Sequence, residues 1–224
     1  MTGPVKGRRV YDASRRRKQA AESRAAVLDA ARLMLLADGY ARTSIPAVAA
    51  AAGVSPEFVY KNVGRKPALL AAVLDVAVGG DDAPVAMAQR AAITQLRELS
   101  APRDVLEGYL DVMVQVQVRV APLLMLAAQS ADPDAAGLTA KADAERLAGM
   151  TGLAHHLHRL GGLLPGLAVD RTRDLLWTCT APQLYDLLVT RRGWSLEDYR
   201  RHVRDVLVHV LLPSVEVSEQ RRST

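Results

Sequence analysis

Between Ser55 and Lys66 this chain gathers five side chains able to grip oxygen: Tyr60, Lys61, Asn62, Arg65 and Lys66, all within the run "GVSPEFVYKNVGRKPALL" of residues 53–70. A phenol, two ammoniums, an amide and a guanidinium suit phosphate oxygens, and a lysine also reaches guanine O6 and N7. The elements that must carry them are short. Ser55 is a good N-cap and Pro56 a good first helical residue, because proline lacks only the N–H that would be unpaired there. The spacing therefore predicts a helix over Pro56 to about Asn62. Thr43-Ser44 caps a preceding helix running to about Ala52, and Gly53-Val54-Ser55 leaves room only for a tight turn. Two short helices around a glycine turn describe a helix-turn-helix, whose second helix faces the major groove. Ala49 lets the helices cross closely, and Val48, Ala52, Val54 and Val59 are the expected shared core. Thr43, Ser44, Ser55, Pro56 and Glu57 then join the first five as candidate DNA contacts. An ordinary αα-corner would use the same turn; the polar, basic run behind it favours DNA.

Charge supports that partner. Residues 1–66 hold 13 Lys/Arg against five acids, so +8 lies in the first third and the rest of the chain carries −3 of the total +5. A basic head on an acidic body suits a polyanion. Residues 1–20 are Gly/Arg-rich and are expected to form a flexible basic arm, with Arg15, Arg16, Arg17 and Lys18 as candidate DNA contacts and a purely solubilising role as the alternative. Half of the 224 residues are hydrophobic and only 4% are aromatic, so the core must be mainly Ala, Leu and Val. With few alternating β-branched runs, that composition predicts an all-α fold. The single cysteine, Cys179, excludes an internal disulfide framework and fits a reducing cytoplasm. No apolar h-region opens the chain and no run reaches ~18 uninterrupted apolar residues, so no membrane segment is expected.

The run from Arg24 to Leu70, "RAAVLDAARLMLLADGYARTSIPAVAAAAGVSPEFVYKNVGRKPALL", resembles the DNA-binding head of the TetR family of transcriptional regulators. Ala30-Ala31, Gly39-Tyr40, Thr43-Ser44, Ala49, Ala52-Gly53-Val54-Ser55, Tyr60, Lys66 and Leu69-Leu70 carry the likeness. By that resemblance Tyr60 is a phosphate clamp, Lys66 opens the fourth helix against the DNA backbone, and the arm runs along or into the minor groove. The chain departs from the family's usual Tyr-x-His-Phe-x-x-Lys-Glu at Asn62, Val63 and Pro67. Val63 in place of the aromatic removes apolar area worth about 1–2 kcal/mol at that joint unless a neighbour fills it. Gly64 falls in the break between the third and fourth helices.

The expected organisation is a basic arm (1–20), the helix-turn-helix head (21–66), a helical effector and dimerisation body (67–214) and a flexible tail (215–224). In the body the sequence predicts a helix entered at Pro102 and interrupted at Pro122, a second over Asp134 to Leu160, a third from Asp170 to Arg192 stopped at Gly193, and a fourth capped by Ser195. The segment "LLWTCTAPQLYDLLVTRRGWSLEDY" is similar to the C-terminal domains of many actinobacterial members of the family, which implies that the last two long helices pair between two subunits. Leu184, Leu187, Leu188, Val203, Val206 and Val210 are the candidate dimer residues, some of which must face the core of their own subunit instead, and the sequence does not separate the two roles. Tyr109, Met113, His155, His158, Trp177 and Cys179 are candidate effector-pocket residues, with core packing as the alternative. His155 and His158 share a helix face, yet two imidazoles make an incomplete metal site, so no metal and no cofactor are expected. No nucleophile with its base, phosphate-cradling loop or carboxylate pair is present, so the chain is not expected to be an enzyme. The resulting reading is a cytoplasmic, homodimeric, sequence-specific transcriptional regulator, more a repressor than an activator, that binds double-stranded DNA at a near-palindromic operator. A small lipophilic or aromatic effector would control it. The alternatives are an all-helical small-molecule-binding protein or enzyme with only nonspecific DNA affinity, and a nonspecific DNA-associated adaptor marked by a steep salt slope without sequence preference.

Overall fold

The computed structural model describes residues 7–83 and 85–213, with the backbone alone for residues 7–13. The expected tail at 215–224 and the first six residues of the arm lie outside this range. Every regular element among the described residues is helical. The chain divides into two compact units, Met1–Val76 and Ala77–Thr224. That division falls later than the expected boundary at residue 66, because Leu69, Leu70 and Val73 at the start of the fourth helix are all buried.

The head contains α1 (Gly7–Arg42), α2 (Ile45–Ala51), α3 (Pro56–Asn62) and the first part of α4 (Lys66–Gly79). Its core draws Val27, Leu28, Ala31 and Leu35 from α1, Ile45, Val48 and Ala49 from α2, and Val59 from α3. Of the expected shared core, Ala52 and Val54 are only half-buried. Gly39 breaks the α1 geometry with φ 82°, as its position at the end of the apolar repeat requires. The α2–α3 turn is a Schellman motif: Gly53 N–H donates to Ala50 O at 3.2 Å and Val54 N–H to Ala49 O at 3.0 Å, with Gly53 at φ 66°. The arm is the first correction. From Gly7 onward it continues α1 as helix, because Arg, Lys, Gln and Ala are strong helix formers and Lys18 lies 4.0 Å from Glu22 one turn on.

The second unit comprises α5 (Ala91–Leu96), α6 (Pro102–Ala128), α7 (Pro133–Leu160), α8 (Val169–Cys179), α9 (Pro182–Tyr185) with a π-turn over Asp186–Arg191, and α10 (Leu196–Leu211). Helix α6 is the central element, contacting α5, α7, α9 and α10, while α7 packs along α8. Val105, Leu106, Leu110, Leu157, Leu176, Tyr199 and Leu207 form the heart of its core. By length and composition α6 could cross a membrane, but half of its most apolar window is buried within this unit. Arg200 of α10 donates to Asp111 at 2.6 Å and Glu107 at 3.1 Å, holding α10 against α6.

Two prolines act opposite to expectation. Pro122 does not interrupt α6; the carbonyl that loses its donor belongs to Val118, which is 39% exposed and open to solvent. Pro182 instead ends the single helix expected over 170–192. Thr180 N–H still reaches Leu176 O at 3.2 Å, but Ala181 N–H falls back to Thr178 O, and Thr180 O takes a 2.6 Å hydrogen bond from Gln117 Nε2.

Candidate nucleic-acid interface

Helix α3 presents the polar row. Val59 faces the head core at 0% exposure, and Tyr60 beside it is 53% exposed. Ser44, Ser55, Glu57, Lys61, Asn62 and Arg65 are exposed as well, with Pro56 half-buried at the first helical position. Both serines cap their helices: Ser44 Oγ accepts from Ala47 N–H at 3.3 Å and Ser55 Oγ from Phe58 N–H at 3.2 Å. A capping hydroxyl uses a lone pair, so the Ser44 O–H remains able to donate to a phosphate, while the Ser55 O–H serves the Glu57 carboxylate. The Glu57 carboxyl is held below its ordinary range, first by a hydrogen bond to its own backbone N–H and then by Ser55. It is an ionised acceptor in the first turn of α3, and an acceptor there can read cytosine N4.

Six expected contacts are repositioned. Thr43 is buried, and its hydroxyl donates to Gly39 O at 2.9 Å, so it stays inside the head. Asn62 turns its amide back to Phe58 O at 2.7 Å, which commits one donor to the helix itself. Lys66 donates to Ala41 O at 3.2 Å and lies 4.3 Å from the centre of the Tyr40 ring, so its ammonium ties α4 to the end of α1. The exposed Arg15, Arg16 and Arg17 stand on consecutive positions of a helix and fan out around it. A helix about 10–12 Å across does not enter a minor groove about 6 Å wide. One contributor was not legible: Arg24 Nη1 on α1 donates to Asn62 O at 2.8 Å, placing a cation at the C-terminal end of α3. Its partner lies 38 residues away, and no local pattern links the two.

Gly64 joins α3 to α4 at φ 118°, and its N–H donates to Val59 O at 3.0 Å. A Cβ there would stand 3.0 Å from the Ala68 Cβ. Gly64→Ala is therefore expected to destabilise the head by about 1–3 kcal/mol, the cost of a side chain in a sparsely populated backbone region. Chemical denaturation followed by circular dichroism measures it; an unchanged midpoint would show that the joint relaxes freely.

Residues 27–73 match the model for "Bacterial regulatory proteins, tetR family". The match is confined to the head of the chain. No curated protein matches the chain. Solved structures share the fold at low identity. NalD, the secondary repressor of the MexAB-OprM multidrug efflux pump in Pseudomonas aeruginosa, aligns over 88% of this chain and 99% of its own, with TM-score 0.63 and 20% identity. SmeT in complex with triclosan aligns over 86% and 93%, with TM-score 0.65 and 18% identity. The fatty acid degradation regulator FadR from Bacillus halodurans aligns over 82% and 96%, with TM-score 0.64 and 16% identity.

In the body of the chain the candidate pocket residues separate. Met113 is buried in the core, with Tyr109, Trp177 and Cys179 packed partly buried against it. His155 is exposed, whereas His158 Nε2 lies 2.9 Å from Thr172 Oγ1 on α8, so the pair does not act together. Among the described residues no group of three or more His, Cys, Asp or Glu is placed to hold a metal. Of the candidate dimer residues, Val203 is enclosed in its own subunit's core at 1% exposure and is removed from that set. Leu184, Leu188, Val206 and Val210 are half-buried, and Leu187 is 50% exposed. A recess of about 500 Å³ lies elsewhere, open to solvent between Trp194 and the first turns of α10.

Proposed function

We propose that this transcriptional regulator binds a near-palindromic operator as a homodimer and is relieved from it by a small molecule taken up in the body. The observation that carries the DNA reading is the exposed row Ser55, Glu57, Tyr60, Lys61 and Arg65 on a recognition helix set by a tight Schellman turn. Leu187, with the half-buried Leu184, Leu188, Val206 and Val210, supports pairing of two copies through the α9–α10 region. A homodimer would place two heads on half-sites about one helical turn or a multiple apart. NalD's role as a repressor and SmeT's triclosan complex support repression under small-molecule control. The last turn of α4 is held within the body by Arg119 Nε, which donates to Ala77 O at 2.8 Å, and this supports α4 as the lever. The effector would shift operator affinity by its differential affinity for the two states. The place of action is the cytoplasm, where the DNA and a reducing milieu for Cys179 are found.

Selection of bound sequences from random duplex DNA tests the reading. An enriched palindrome is expected, and failure to enrich one would leave only nonspecific binding. Lys61→Ala is expected to change base preference at one position in each half-site. An unchanged motif bound more weakly would assign Lys61 to phosphate.

A further inference from the structure

Among the described residues of the body, buried side-chain donors without a partner outnumber buried acceptors without one. Three helices contribute. From α6 come Tyr109, Met113 and Gln117, one turn apart; from α7, Arg146 and Met150; from α8, Trp177, with Thr180 at its end. Gln117 is 4% exposed, and with its Nε2 donating to Thr180 O its Oε1 has no partner. Arg146 Nε and Trp177 Nε1 are buried without partners too. The Arg146 guanidinium lies 4.7 Å from the centre of the Trp177 ring, donates to Trp177 O, and meets Asp143 at 3.2 Å. Tyr109 Oη donates to the Met150 sulfur at 3.3 Å, and the nearest partner of the Tyr199 hydroxyl is the Met113 sulfur at 4.0 Å. Thioethers are weak acceptors. Burial is the main reason the Tyr109 hydroxyl is pushed up to about 12, so it remains a donor at neutral pH.

Buried polar groups of native proteins nearly always find partners, and an unpaired one costs free energy. Here the unpaired set is one cation with a free N–H and an indole N–H against a single amide oxygen, beside two phenols that meet thioethers, Tyr109 also reaching the Thr180 hydroxyl. Anionic oxygens satisfy such a set, and the surrounding methionines and aromatics suit an apolar body.

We propose that Arg146, with Trp177 and Tyr109, binds the carboxylate of a small organic acid, Gln117 Oε1 accepting from a hydroxyl on its apolar body. The proposal rests on the regulator reading above in naming this acid as the effector. The site lies wholly within the second unit, so binding to it is measured without DNA.

The test uses the full chain and six acids: benzoate, 4-hydroxybenzoate, phenylacetate, 4-hydroxyphenylacetate, octanoate and 3-hydroxyoctanoate, each beside its primary amide. Titration calorimetry and thermal shift are expected to show at least one acid binding saturably and at least tenfold more tightly than its amide. Arg146→Lys keeps a cation but loses the Nε donor, and should weaken that acid at least tenfold. Trp177→Phe keeps an aromatic ring and removes only the N–H, so it carries the test if the Arg146 variant does not fold. The proposal is overturned if no acid binds, if acids and amides bind equally, or if the folded variants bind the acid as the parent does. Operator binding by the ligand-free chain is measured alongside. Its loss with acid binding intact overturns the regulator reading alone, and its presence without acid binding overturns this proposal alone.

Discussion

Tyr199→Ala is expected to destabilise the helical body by about 3–5 kcal/mol, in the range seen when a large enclosed side chain is truncated and its space fills only partly. Tyr199 is 0% exposed and meets the Tyr185 ring edge-on, with centroids 5.4 Å apart and planes at 85°. Its ring joins α10 to the α6–α9 core, so the loss falls on several interfaces at once. Tyr199→Phe should cost less than about 1 kcal/mol, because a hydroxyl whose nearest partner is a sulfur 4.0 Å away gains little from its bond. Both tryptophans, Trp177 and Trp194, lie in the second unit, so fluorescence in a urea titration reports that unit without the head. The midpoint should fall steeply for alanine and barely for phenylalanine, with the slope unchanged. Equal shifts for the two variants would place the stabilisation in the hydroxyl and contradict the packing account.

If two heads engage one operator, as proposed, Arg65→Ala is expected to weaken operator binding by roughly 60-fold at about 0.1 M salt. Each phosphate left without its cation removes about 0.9 from the salt slope, so two should flatten it by about 1.8. Arg65 is the cleaner probe. It is exposed at the start of α4, whereas Lys66 beside it also holds Ala41 O and the Tyr40 ring. Lys66→Ala would therefore mix a drop in head stability with any weakening of the grip on phosphate. Binding isotherms at several salt concentrations separate the cases. A parallel weakening at every concentration would assign Arg65 a structural part instead of a hold on phosphate.

Much of the fold was legible because its signals are local. Gly39, Gly53, Gly161 and Gly193 all adopt positive φ at helix ends, and Ser44, Ser55 and Ser195 all accept from the backbone N–H of the third residue of their helices. Such groups act within one turn of the chain, so their chemistry is written in neighbouring letters. The two prolines were not legible in this way. Whether a proline is absorbed or ends a helix depends on the surroundings of the carbonyls it frees, and those are tertiary. Val118 faces solvent and α6 continues; Thr180 O meets Gln117, 63 residues earlier, and the chain turns.

The head's face was likewise half-written. Sequence alone determined that Ser55 caps, that Val59 turns inward and Tyr60 outward, and that basic charge collects around them, because a helix of known start has a fixed period. It also determined an all-helical body from composition. Only the tertiary structure decided that Thr43 is enclosed, that Lys66 and Arg24 tie the helices of the head together, that Val203 belongs to its own core, and that Arg146 and Trp177 keep a buried donor, and Gln117 a buried acceptor, without a partner. Those outcomes depend on which helix lies against which, and contacts between residues tens of positions apart leave no local period to read.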